Sequence, residues 1–242
     1  MKNLTSSEYW STKHPQIEKA ILSDSFHNVE YLYPKLDKYL QEMKGASIIE
    51  LGCAPGQGLR KISERYGLVP HGCDFVQEID IVGKIFKKEF PGSSFFKCDL
   101  SKDSVKGKYD IVMSGGLIEH FDDIEKIIKK HLAAIKPGGY LILNTPNLSF
   151  WRALFWRLFD PKLLRGHNPR ATHKRYVTGL IEKNGCEMLD SGYFGEPHIW
   201  IEHQKVRGAQ KATDKANRMF KNWDRRNSVT MPFVYWIAKK ES

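Results

Sequence analysis

From Ser47 to Asn144 the chain alternates short β-rich runs with helical stretches, and this rhythm restricts the fold more than any other feature. Runs suited to strands stand at Ser47–Leu51, Leu68–Asp74, Ser94–Cys98, Tyr109–Ser114 and Tyr140–Asn144. Helical patterns fill about Gly58–Tyr66, Val76–Phe90 and Asp122–Ile135, while Asp99–Lys108 is short and polar and reads as a loop or a reduced helix. Strands that alternate with helices build βαβ units, and these build a parallel sheet covered on both faces. Ahead of the first strand, Ile17, Ile21, Leu22, Leu32, Leu36, Tyr39, Leu40 and Met43 repeat at helical spacing, which predicts two helices in an N-terminal helical segment, 1–46. After Asn144 an aromatic and basic stretch interrupts the rhythm. It resumes with a helix at about Thr172–Asn184 and a strand at Glu187–Phe194, and a last strand, Val229–Ala238, closes the chain. No plain crossover helix precedes that strand, so it is expected to run antiparallel. The expectation is an α/β fold with a mostly parallel seven-stranded sheet, helices on both faces and an antiparallel last strand. It forms one domain, 47–242, with inserts at about 146–171 and 195–227.

Composition narrows the setting. Apolar residues at 41% supply a real core, and the four cysteines include no C-x-x-C pair. Such usage points away from a zinc ribbon or a disulfide framework and towards thiols in a reducing compartment. No stretch approaches the roughly 18–20 apolar residues of a bilayer span, and the first residues lack the apolar core of a secretory signal. A cytoplasmic protein is expected. The net charge of +10 is local: residues 146–175 hold seven Lys/Arg to one acid and residues 203–242 ten to three, which leaves the remainder net negative.

The turn after the first strand reads Glu50-Leu51-Gly52-Cys53-Ala54-Pro55-Gly56-Gln57-Gly58. Glycines between a buried strand and a helix permit a tight turn and a close approach of ligand to backbone, at the carboxyl edge where open parallel sheets bind ligands. The spacing is not the G-x-G-x-x-G of a dinucleotide site. Glu50, two residues before the first glycine, does not suit a pyrophosphate but does suit a ligand bearing an ammonium and a sulfonium. Two further acids end strands. Asp74 can accept from both hydroxyls of a ribose, and Asp99 can accept from an adenine amino group; singly, each also reads as a helix cap or turn residue.

In this order, E-L-G-C-A-P-G, G-C-D, C-D-L, Y-D-I-V-M-S-G-G-L-I-E-H-F and K-P-G-G-Y-L-I-L-N-T-P-N, the motifs resemble those of class I S-adenosylmethionine-dependent methyltransferases, whose fold is Rossmann-like. The chain is most similar to the broad group holding ubiquinone-biosynthesis O-methyltransferases and many sugar and natural-product methyltransferases. The resemblance is strong over about 47–147 and weak over 172–194. It implies S-adenosylmethionine as cofactor, with Gly52, Cys53, Ala54 and Gly56 around its methionine part. It further implies Asp74 at the ribose, Phe75 beside the adenine, Asp99 and Leu100 at the adenine edge, and Ser114 and Gly115 near the sulfonium.

Methyl transfer is an in-line displacement in which the protein's main task is alignment. A hydroxyl acceptor also needs an outlet for its proton, and Glu119-His120, just past the fourth strand, is the best-placed pair, although His120 could instead cap or pack the next helix. Ubiquinone-type relatives complete a metal site with a carboxylate three residues before the one of that pair. Here Gly116 stands there, so no metal is expected. His167, His173, His198 and His203 fall in segments where such enzymes build acceptor pockets.

The first insert places Leu148, Trp151, Leu154, Phe155, Leu158 and Phe159 at helical spacing with Arg152 and Arg157 on other faces. A lid over the acceptor pocket, a helix in peripheral contact with a membrane through 148–165, and a partner surface remain alternatives. The second insert is basic on several faces, as suits a solvated helix or contact with an anionic partner. The expected reaction is O-methylation of a small or lipid-linked molecule such as a glycan, a quinone precursor or another metabolite. RNA methylation, a catalytically silent module and a nucleotide-dependent oxidoreductase are the alternatives. Nucleic acid is disfavoured, since no added RNA-binding domain is visible, and Ser114-Gly115-Gly116-Leu117 after the fourth strand, in place of an amino-methylating Asn/Asp-Pro-Pro-Tyr motif, favours oxygen over exocyclic nitrogen as acceptor.

Overall fold

A computed structural model describes residues 1–13, 17–22, 28–148, 150–203, 206–220 and 228–242. The segments 14–16, 23–27, 149, 204–205 and 221–227 lie outside the described residues, and with them parts of the expected N-terminal helices and of both inserts. Seven strands form one sheet: β1 (Ser47–Leu51), β2 (Val69–Asp74), β3 (Ser94–Lys97), β4 (Tyr109–Gly115), β5 (Ile135–Pro146), β6 (Cys186–Phe194) and β7 (Phe233–Lys240), in the order β3-β2-β1-β4-β5-β7-β6. β7 alone is antiparallel, to β5 and β6 on either side. The sheet is therefore the expected α/β, Rossmann-like one with an antiparallel last strand.

Burial explains why β1 reads as an unbroken apolar run. Ile48 belongs to the core on one face of the sheet with Ile111, Met113 and Ile142, and Ile49 to the core on the other with Val112, Leu141 and Leu143. The first face is covered by α3 (Tyr33–Leu40), α4 (Gln57–Tyr66) and α5 (Ile79–Glu89), the second by α6 (Ile124–Ala134) and α9 (Lys174–Lys183). In α6, Ile124, Ile127, Ile128 and Leu132 repeat on one face, and Asp123 caps the helix by accepting from the Lys126 N–H at 2.9 Å. Asp99–Lys108 holds turns and no helix. β5 starts earlier than periodicity predicts, because it runs through the Lys-Pro-Gly-Gly segment by a register shift against β4, and β7 starts later, at Phe233.

Asp110 ties the sheet's lower edge together. Its carboxylate accepts from the Ser47 N–H and Oγ–H at 2.9 and 2.6 Å and from the Lys136 ammonium at 2.9 Å. Burial pushes this carboxyl up, but Lys136 and Ser47 outweigh it and hold it at about 2. A carboxyl held below its unfolded value of about 3.9 adds stability above that pH and loses it as the pH falls towards 2. Asp110→Asn should therefore lower the thermal midpoint at pH 7, and the difference from the parent should close between about pH 4 and pH 2, as followed by circular dichroism.

The inserts pack on each other. In α7 (Phe150–Phe159), Trp156 and Arg152 are fully buried with Leu148, Leu163, Ile199 and Phe220 around them. Arg152 donates to the His198 and Thr230 carbonyls, each at 2.7 Å, and Trp156 Nε1–H donates to the Trp200 carbonyl. Leu154 and Leu158 stay exposed. Two short helices, α1 (Ser7–Lys13) and α2 (Ile17–Leu22), precede the core. α8 (Pro161–Arg165) follows α7, and α10 (Ala209–Phe220) is the described helix of the second insert.

Candidate active site

Strand order reverses between β1 and β4, and the crevice such a reversal opens at the carboxyl ends of the strands is where open α/β sheets take ligands. Here it is a cavity of about 380 Å³. Its floor is the glycine turn. Gly52 sits at φ +70° with its amide donating to the Cys73 carbonyl at 2.8 Å, and a Cβ there would lie 2.6 Å from Leu117 Cδ1. Gly56, at φ +93°, opens α4, and a Cβ on it would come within 3.0 Å of the Phe86 ring. Both positions need a left-handed backbone that L side chains rarely adopt, and at both a Cβ would crowd a packed neighbour.

Asp74, 7% exposed, fastens this turn to β2. Oδ2 accepts from the Ala54 N–H at 3.0 Å, and Oδ1 accepts from Phe75 and Val76 N–H at 2.7 and 3.2 Å. Burial raises the carboxyl against the lowering effect of these donors. A carboxylate offers about four lone-pair sites. Three are used, which leaves one for a ligand hydroxyl. Glu50, 8% exposed, has Oε2 buried with no partner, and burial, then the charge of Asp74, push its carboxyl up to about 8. A buried carboxylate oxygen facing a cavity without a partner calls for a cation or a donor in that cavity.

Cys53, Ala54, Phe75, Leu100 and Gly115 line the cavity with Glu50, Gly52, Gly56 and Asp74. The structure does not bring Asp99 or Ser114 there. The Asp99 carboxylate accepts from Ser101 N–H and Oγ–H at 3.0 and 2.6 Å and lies 3.0 Å from Lys102, as a turn residue. Ser114 is buried, its Oγ–H donating to His131 Nε2 at 2.9 Å while His131 Nδ1–H donates to the Ile127 carbonyl. Met113 and Gly115, on the other face of β4, are the residues that reach the cavity.

His120 lines the cavity as well, and its neighbour Glu119 is fully buried, 0% exposed. Neither Glu119 carboxylate oxygen has a hydrogen-bond partner, and Oε1 is 4.0 Å from His120 Nε2. Burial pushes the Glu119 carboxyl up to about 8. Burial, and secondarily the nearby His167, push His120 down to about 3, so the imidazole is neutral. Sequence expectation allowed no metal because Gly116 supplies no ligand. The structure brings a third donor from elsewhere: His167, after α8, joins Glu119 and His120 with ligand atoms all within 4.8 Å of one another.

The roof was not legible in the sequence. No described residue of α7 lines the cavity, so the lid, one of the three alternatives for the first insert, is not formed there. Asn3, Thr5, Trp10 and Ser11 line it instead. The Leu4 N–H donates to the His120 carbonyl at 2.7 Å, the Lys2 N–H donates to Asp122 at 2.7 Å, and Ser11 Oγ–H donates to Glu78 at 3.0 Å. Trp10 packs edge-on against His120 at 5.0 Å. Asn144, Phe194 and Phe233, at the ends of β5, β6 and β7, complete the walls.

A family model described as a methyltransferase domain matches residues 25–191. The ubiquinone biosynthesis O-methyltransferase of Coxiella burnetii (strain RSA 493 / Nine Mile phase I) is 26% identical over 167 residues, covering 63% of this chain and 70% of that protein. Among solved structures, magnesium protoporphyrin IX methyltransferase from Synechocystis PCC 6803 with bound SAH matches at a TM-score of 0.62 and 13% identity, over 97% of this chain and 98% of that one. Haemonchus contortus phosphoethanolamine N-methyltransferase 2 in complex with S-adenosyl-L-methionine matches at 0.60 and 15%, over 98% and 60%. At such identities the structural likeness carries the fold alone. The matched model spans more than half of the chain, and its motifs are the ones that build this cavity: the chain belongs to the methyltransferase domain family.

Proposed function

We propose that this methyltransferase uses S-adenosylmethionine to methylate a hydroxyl of a small or lipid-linked acceptor. The observation that carries the reading is the buried, unpartnered Glu50 oxygen beside the glycine turn that lines the cavity, with Asp74 one strand away. That pattern matches a ligand with a cationic amino-acid end and a ribose. When bound, the cofactor supplies an electrophilic methyl on sulfur. Glu50 would hold its ammonium, Asp74 a ribose hydroxyl, and Phe75 and Leu100 the flat base. The chain's remaining task is to hold the acceptor oxygen in line and keep water out, which can contribute as much as about 7–11 kcal/mol. His120, which lines the cavity, and Glu119, buried beside it, form the pair through which the acceptor's proton would leave.

Oxygen as the acceptor atom draws support from the O-methyltransferase relatives, while the acceptor's class is an inference from the largely apolar walls that Phe194, Phe233 and Pro146 provide. Peripheral membrane contact through 148–165 stays part of the proposal, because Leu154 and Leu158 are exposed one turn apart with Arg157 beside them. Calorimetry tests the donor: S-adenosylhomocysteine should bind at micromolar levels and NAD should not. Transfer of labelled methyl groups into fractionated extract should label small-molecule or lipid fractions. Label confined to RNA would overturn the acceptor assignment.

A further inference from the structure

We propose that Glu119, His120 and His167 form a binding site for one divalent transition-metal cation at the cavity wall. The argument starts from the hydrogen bonds of the two imidazoles. His120 Nδ1 lies 2.7 Å from the Gly166 carbonyl oxygen, and His167 Nδ1 lies 2.7 Å from the Leu163 carbonyl oxygen. A carbonyl only accepts, so each Nδ1 carries the proton and each Nε2 carries the lone pair. The two rings stand 4.6 Å apart. His120 Nε2 faces Glu119 Oε1 at 4.0 Å, too far for a hydrogen bond.

Two imidazoles and a carboxyl group thus converge, with both Nδ1 protons turned away onto backbone carbonyls. Such a cluster is unfavourable as it stands. Glu119 is fully buried with both oxygens unpartnered, and an uncompensated buried carboxylate is expensive. A cation at the centre satisfies all three at once. The donor atoms lie within 4.8 Å of one another, and metal–ligand bonds of about 2.0–2.2 Å are reached by shifts of under about 1 Å each. The second layer is already built, since metal-binding histidines commonly donate their other N–H to a backbone carbonyl, which fixes the tautomer and ring orientation. His120 also lines the cavity, so a cation it holds would lie at the cavity wall, within reach of an acceptor. Two imidazoles and one carboxylate select a first-row divalent ion over magnesium or calcium. A hydroxyl bound to such an ion loses its proton more readily. That role, though not the binding itself, rests on the methyl-transfer reading above.

The test uses chelator-stripped full-length protein titrated with Co(II), whose visible absorption reports coordination, and with Zn(II) by calorimetry. One equivalent per chain is expected, with at least about a hundredfold weaker binding in His167→Ala and in Glu119→Gln, while magnesium competes poorly. Both variants should still bind S-adenosylhomocysteine, which serves as the check on folding. Should either misfold, imidazole nitrogen resonances of the parent protein replace it: Zn(II) should shift two Nε2 signals and leave the Nδ1 protons in place. No stoichiometric uptake by the parent, or uptake unchanged in both variants, would overturn the site. Metal uptake without S-adenosylhomocysteine binding would instead count against the donor assignment and leave the cation site standing.

Discussion

Asp74→Ala is expected to weaken S-adenosylhomocysteine binding by more than about a hundredfold and to destabilise the protein by about 2–4 kcal/mol, because one side chain does both jobs. Its oxygens satisfy three backbone N–H groups of the turn and of the residues after β2, and a buried donor left without a partner costs about 1–3 kcal/mol. Water entering from the cavity recovers part of that. Asp74→Asn separates charge from shape. The amide fits the same space but turns an NH2 towards a backbone N–H, so it should lose nearly as much affinity as alanine. Urea denaturation and calorimetry on the two variants check both effects. Unchanged affinity in either would remove Asp74 from the ribose.

Glu50→Gln should move the two properties in opposite directions. Burial and the neighbouring Asp74 raise this carboxyl to about 8 in the ligand-free protein. An acid whose folded pKa lies above its unfolded value costs the fold stability as pH rises from about 4 to about 8. Glutamine removes that cost, so the free variant should gain about 1–2 kcal/mol at pH 7, a rise of roughly 3–6 °C in Tm, and no gain should remain below pH 4. Hydrogen bonds to a charged group are worth about 1.5–3 kcal/mol, so affinity for the cationic cofactor should fall by roughly 10- to 150-fold. The parent protein should release a proton on binding at pH 7, visible as a dependence of calorimetric enthalpy on the buffer's ionisation heat. That dependence should vanish in Glu50→Gln.

The parts of this site that sequence reading reaches are those encoded over a few residues. Glu50, the two glycines and Asp74 follow from strand ends and turn chemistry, where the backbone dictates residue type locally. Ser114 shows a limit that parity could have removed. Met113, Ser114 and Gly115 alternate along β4, so a strand that sends 113 and 115 to the cavity turns 114 to His131. Asp99 was ambiguous for a different reason. At a strand end its carboxylate can reach a ligand or close a local turn, and Ser101 beside it decides for the turn. His167, Trp10 and Asn144 carry no local signal. Trp10 and Asn144 reach the cavity, and His167 reaches His120 at its wall, through packing between segments distant in sequence. The third ligand of the proposed cation site is expected one turn before Glu119, yet it arrives from beyond α8, where the bond from His120 to Gly166 and those from Asn168 to the Glu119, Phe121 and Asp122 carbonyls join the two segments.

The covering of the cavity by residues 2–11 also bears on turnover. The contacts of that segment at His120, Phe121, Asp122, Glu78 and Glu202 would have to loosen for it to swing clear of a bound nucleoside, and they are peripheral beside the sheet. Openings of such segments cost far less than global unfolding. The enzyme's cycle would then be paced by a door rather than by bond making, and the same door would exclude bulk solvent while the methyl group is in transit.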